Sequence, residues 1–92
     1  MVGLESTLKH KDQILAQQAS ETLILLNLDD GEYYALDEVG GRVWELCDGT
    51  RRVSEVISII SDDYDAPAET IKADVLEVLG DLADEQLLVE GN

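Results

Sequence analysis

Polar and apolar residues change their spacing along this chain. From Thr22 to Leu28 apolar side chains fill both alternating positions (Leu23, Ile24, Leu25, Leu26, Leu28). That predicts a strand needing cover on both faces. Asp29-Asp30-Gly31 follows, a turn signal in which glycine supplies a positive φ. Glu32-Tyr33-Tyr34-Ala35-Leu36 is rich in aromatics and suits a second strand. Upstream, about Leu8 to Gln17 reads as a weaker strand with polar interruptions. Together these segments predict a three-stranded antiparallel meander.

Beyond Leu36 the period becomes helical. Asp37 is placed to N-cap a helix over about Glu38 to Asp48, with Val39, Val43, Leu46 and Cys47 at helical spacing and Trp44 beside them. Gly49 sits where a C-terminal cap belongs. Val53, Val56, Ile57, Ile60 and Tyr64 share one face of a second helix, about Val53 to Tyr64. Asp65-Ala66-Pro67 breaks it, and a third helix follows over about Pro67 to Glu85. That helix carries two adjoining stripes, Ile71-Val75-Val78-Leu82 and Leu76-Leu79-Ala83. The arc is wider than a small core requires. Leu87-Leu88-Val89 predicts a final strand or tail. The order defines a single domain over residues 1–92, of α+β class. Its architecture is winged-helix-like, an N-terminal three-stranded antiparallel sheet followed by three helices.

Composition then removes whole classes of function. With 92 residues, 45% of them hydrophobic, the chain builds one modest core and has little to spare for a deep catalytic cavity. Twenty-one acidic against 6 basic residues give a net charge of -15. Such a surface repels phosphate backbones and anionic lipid, so nucleic acid and membrane are excluded as partners, and a basic peptide or protein face is steered toward it. Charge alone fixes no partner, and solubility is the plain reading of it. The single cysteine, Cys47, allows no internal disulfide. No apolar run has signal-peptide or membrane-spanning length, which makes the cytoplasm the default expectation.

Catalytic and ligand motifs fare no better. His10 is the only histidine, and its one soft companion, Cys47, lies on an apolar helix face. We expect His10 at the surface and Cys47 in the core. Asp62, Asp63 and Asp65 lack the alternating spacing and central glycine of a calcium loop. Gly40-Gly41 is not a phosphate-cradling loop and instead permits close helix packing. A helix-turn-helix reader of DNA would place the third helix in the major groove. Here that helix sets Glu69, Asp74, Glu77, Asp81, Asp84 and Glu85 against Lys72 alone, six acids and one base, which phosphates would repel. An acyl carrier needs an Asp-Ser-Leu setting that the chain lacks. No enzyme chemistry, no metal and no cofactor are expected.

The third strand is more telling. Exposed sheet edges are usually blocked by lysine, proline or a bulge. Glu32 to Leu36 has neither lysine nor proline, so another element covers it or it stays open to a guest strand. The second stripe of the third helix would then supply pockets, unless it packs on the protein's own sheet or first helix.

Two runs carry a family resemblance: Gly31-Glu32-Tyr33-Tyr34-Ala35-Leu36-Asp37, and Val43-Trp44-Glu45-Leu46-Cys47-Asp48-Gly49-Thr50. So do Val53-Ser54-Glu55-Val56-Ile57, Tyr64, Asp74-Val75 with Leu79 and Leu82, and Leu87-Leu88-Val89. In this order, over roughly Leu23 to Val89, they resemble the PqqD family. The resemblance implies a recognition element for ribosomally made, post-translationally modified peptides. The leader of a precursor peptide would add beside the third strand, in a groove against the third helix. It implies a site of Glu32, Tyr33, Tyr34, Ala35 and Leu36 on the strand, and of Lys72, Asp74, Val75, Leu76, Glu77, Leu79, Asp81 and Leu82 on the helix. Of these, Asp74, Glu77 and Asp81 would meet basic groups on the leader. Partners would be the leader and a separate modifying enzyme. The lasso-peptide type, with leader peptidase and cyclase, is favoured over a pyrroloquinoline quinone-type chaperone for a radical enzyme. A structural self-association module is the competing class, and a monomer or weak dimer is expected.

Overall fold

The computed structural model describes residues 3–91; the extreme ends of the expected 1–92 domain lie outside the described residues. The elements run β1 (Leu8–His10), β2 (Ile14–Ala19), β3 (Thr22–Asn27), β4 (Tyr33–Leu36), α1 (Glu38–Leu46), α2 (Val53–Asp63), α3 (Ala68–Asp84) and β5 (Leu88–Glu90). Strands β2, β3 and β4 form the antiparallel meander in that order, followed by three helices, as the α+β reading required. No helix among the described residues is long and apolar enough to cross a membrane.

One expectation is corrected. The single weak strand over Leu8 to Gln17 is two strands. Gln13, at φ 70°, turns the chain between them. Strand β1 leaves the meander and pairs with β5 at the other end of the chain, Lys9 opposite Val89. Local pattern cannot reveal such a partner, because the pairing is decided some 80 residues away. The C-terminal apolar run is accordingly a strand rather than a tail.

Register assigns the faces. Leu23 pairs with Leu36 and Leu25 with Tyr34, while Ile24 pairs with Ala35 and Leu26 with Tyr33. The first set points to the helices: Leu23 and Leu25 are buried, and Tyr34 and Leu36 pack partly against the core. The second set points away from them. At the β3–β4 turn, buried Asn27 accepts from the Asp29 N–H through its side chain (2.9 Å), and Gly31 adopts φ 75°.

Helix α1 starts where expected. The Asp37 carboxylate accepts from the Gly40 N–H at 2.8 Å and caps it. It ends at Leu46 with Cys47 as the cap, and Gly49 lies further on at φ 90°, donating its N–H to the Leu8 carbonyl (3.0 Å). Gly40 and Gly41 let α1 close on the sheet. A Cβ at Gly40 would come within 3.2 Å of Leu36, and one at Gly41 within 3.4 Å of Leu23. The core joins Leu23 and Leu25 to Val43 and Trp44 of α1, Val56 and Ile60 of α2, and Ile71, Val75, Leu79 and Leu82 of α3. Cys47 is buried there as expected, and burial, with the Asp48 carboxylate adding to it, pushes its thiol up to about 12. His10 departs from the plain surface role. It is half-buried, its ring stacked on Trp44 at 3.7 Å, with Nε2 2.6 Å from the Trp44 carbonyl. A carbonyl can only accept, so Nε2 carries the proton.

Candidate functional site

The site begins with backbone. Strand β4 is an edge: it pairs with β3 and with nothing else among the described residues. The Asn27 N–H donates to the Glu32 carbonyl at 2.9 Å, which sets the phase of the ladder. In an antiparallel pair, residues two apart point the same way. Tyr34 and Leu36 therefore turn their N–H and C=O groups into the sheet toward Leu25 and Leu23. Tyr33 and Ala35 turn theirs outward, free to pair with a guest.

Beside this edge lies α3. Asp74, Glu77, Val78, Asp81 and Glu85 recur at helical spacing along one flank, Glu85 being the cap. One hydrogen bond ties that flank to β4, and a hollow lies between it and the start of α1. The Tyr34 hydroxyl donates to Glu85 Oε2 at 3.3 Å. At the other end, Asp37, Val39, Asp74, Glu77 and Val78 enclose a hollow of about 270 Å³. Two valines with three carboxylates suit a side chain with an aliphatic stem and a cationic tip. The Tyr34 phenol is raised above its ordinary pKa, first by burial and then by the Glu85 charge.

The expected site residues divide into groups. Glu32 to Leu36 lie at the edge, with Tyr34 and Leu36 facing the helices and Tyr33 and Ala35 facing outward. Asp74 and Glu77 line the hollow, and Asp81 is exposed on the same flank. Val75 and Leu79 are fully buried and Leu82 is 4% exposed. They sit in the core that α3 shares with α1 and α2 and present no surface to a guest, so the groove role given to them moves to the core. Leu76 lies on the opposite flank with Gly80 and Ala83, in a larger hollow against Leu8 and Leu88. Lys72 borders a third hollow beside α2, with Ile57, Ser58 and Asp62. The second stripe therefore does not supply pockets to β4. Sequence reasoning missed Asp37, Val39, Val78 and Glu85. Asp37 was legible only as a cap, and the valines read as core because their stripes are continuous with it.

Comparison with known proteins places this arrangement in a class. The family model described as Coenzyme PQQ synthesis protein D (PqqD) matches residues 22–88. The chain belongs to the PqqD family. It is 43% identical over 56 residues to a PqqA binding protein of Bradyrhizobium diazoefficiens and 39% identical over 56 residues to one of Rhodopseudomonas palustris. Each match covers 61% of this chain; the chain spans about half the length of these curated relatives, 54% and 55%. Among solved structures it resembles TbiB1 in complex with the TbiA(beta) leader peptide, with 31% identity, a TM-score of 0.77, and 87% and 93% of the two chains covered. Lasso peptide synthetase B1 complexed with the leader peptide shares the fold at a TM-score of 0.80 and 14% identity, over 91% of this chain and 99% of the other.

Proposed function

We propose that this chain captures the leader of a ribosomally made precursor peptide as an added strand on β4 and presents it to a separate modifying enzyme. The open β4 edge beside the acidic flank of α3 carries this reading. A guest strand would bond to the outward backbone groups of Tyr33 and Ala35, which gives register without demanding a sequence. Its side chains would reach the hollow between Val39 and Val78, and its basic groups would meet Asp74, Glu77 and Asp81. The role is delivery, not catalysis, and its place is the cytoplasm.

The lasso type, with a leader peptidase and a cyclase as recipients, is favoured because TbiB1, 31% identical over most of this chain, is a leader-bound protein. A quinone-cofactor chaperone is the second reading, supported by the 43% identity to a PqqA binding protein.

The test is a fluorescence-anisotropy titration with a labelled leader from a precursor peptide of the same organism. Ala35→Pro removes an outward N–H and spares the β3–β4 ladder, since an edge strand tolerates proline on its free side. Saturable binding that Ala35→Pro weakens at least tenfold in a folded protein is expected. Binding that Ala35→Pro leaves intact would sink strand addition. A tight dimer that no leader dissociates, seen by light scattering, would make the edge a self-association surface.

A further inference from the structure

The two faces of the meander differ in an unexpected way. The inner face is covered by helices along β3, where Leu23 and Leu25 are buried, and partly along β4, while Ala16 and Gln18 on β2 stay exposed. The outer face consists of Leu15, Gln17 and Ala19 on β2, Thr22, Ile24 and Leu26 on β3, and Tyr33 and Ala35 on β4. No charged residue stands among these eight, in a chain that is 29% charged. The solvent face of an antiparallel sheet is normally polar. Here Leu15, Leu26 and Tyr33 lie side by side across three strands. Leu15 is 53% exposed, Tyr33 is 70%, and Leu28, just past β3, is 55%. Exposed apolar groups gathered in this way mark a contact surface.

The surroundings decide what kind of partner fits. The ends of the face carry Asp29, Asp30 and Glu32 at one turn and Glu21 at the other, with Lys11 already tied to Asp29. A second copy would set these acidic ends against its own, so the partner has an apolar centre and a basic rim. Two strands of six residues and one of four span at most roughly 14 by 20 Å. That is well below the roughly 800 Å² per side of a specific complex. A guest strand on β4 would widen the face by about 5 Å, and every second guest side chain would fall on it.

We propose that the outer face of the β2–β3–β4 sheet is the docking surface for the enzyme that processes the delivered peptide, and that the bound leader strand completes it. This rests on the leader-strand reading above. The enzyme then recognises the loaded carrier in preference to the empty one, because part of the surface belongs to the cargo.

The experiment titrates a purified leader-processing enzyme from the same organism against wild type, Leu15→Asp and Leu28→Asp, with and without saturating leader. Leader binding is measured in parallel by anisotropy. Both positions are exposed, so the fold tolerates the change, and Leu15 is two strands from the leader edge. Wild type is expected to bind the enzyme more tightly with leader than without. The variants should lose at least tenfold in enzyme affinity while leader affinity stays within twofold. Enzyme affinity unchanged in both variants overturns the proposal, as does a wild-type dimer that Leu15→Asp dissociates. A wild type that binds enzyme but no leader would instead remove the leader-strand reading, leaving the docking face supported if the variants still lose that enzyme binding.

Discussion

The two flanks of α3 share one helix and differ in almost everything else. Toward β4 stand Asp74, Glu77, Val78, Asp81 and the cap residue Glu85. Toward β1 and β5 stand Leu76, Gly80, Ala83 and Asp84, against Leu8, Leu88 and Glu90. Between them Ile71, Val75, Leu79 and Leu82 are buried. The wide apolar arc of this helix is thus a core stripe plus a margin on the β1–β5 side, and the flank proposed to meet the leader is the acidic one. Under the proposed function the open strand edge would supply pairing, and the carboxylates beside it would select what pairs.

Substitution in the buried stripe between the flanks should have the largest effect. Leu79→Asp removes a fully buried side chain, worth about 2–5 kcal/mol, and adds the larger cost of a buried carboxylate. Against a total stability of about 5–15 kcal/mol, the variant should be unfolded by circular dichroism. A folded Leu79→Asp that merely binds leader poorly would return Leu79 to the groove.

Charge reversal on the acidic flank comes next. Asp74→Lys with Glu77→Lys should leave the melting temperature nearly unchanged. It should weaken a leader bearing lysine or arginine by on the order of tenfold, with the loss shrinking as salt is added. Equal loss for a leader stripped of its basic residues would show that the carboxylates do not select charge.

The opposite flank is predicted to be silent in binding. A Cβ at Gly80 would meet nothing within 4 Å. Gly80→Ala should therefore stabilise the helix by about 0.5–1 kcal/mol in a denaturant titration. Leader affinity should not change, and a change would mean the two flanks are coupled.

The smallest effect is electrostatic. Burial and then the Glu85 charge raise the Tyr34 phenol, so its contribution to stability is present below the ordinary tyrosine value near pH 10 and is lost as pH rises through the folded value. Glu85→Gln should move part of the tyrosine absorbance titration to lower pH. An unmoved titration would mean that Glu85 does not act on Tyr34.

Much of this was legible in order along the chain. The cap at Asp37, the helical faces of α2 and α3, and the pairing of Thr22–Asn27 with Tyr33–Leu36 follow from local spacing and turn chemistry, because each is settled within a few residues. The family resemblance lay in the same local runs. The missing lysine and proline marked the third strand as either covered or open, and the structure decided for open among the described residues.

What the tertiary structure alone decided is which surface each side chain meets. Periodicity marks a residue as apolar but does not say whether its neighbour is the core, a groove or solvent. Val78 and Leu76 both lie beside the buried stripe, yet one borders the hollow at the start of α1 and the other the hollow at β5. Leu26 and Leu25 are adjacent leucines in one strand, and only the register with Tyr33 and Tyr34 puts the first on the bare face and the second in the core. The pairing of β1 with β5 could not be read either. Such contacts join residues far apart in sequence, and their geometry exists only once the chain has closed on itself.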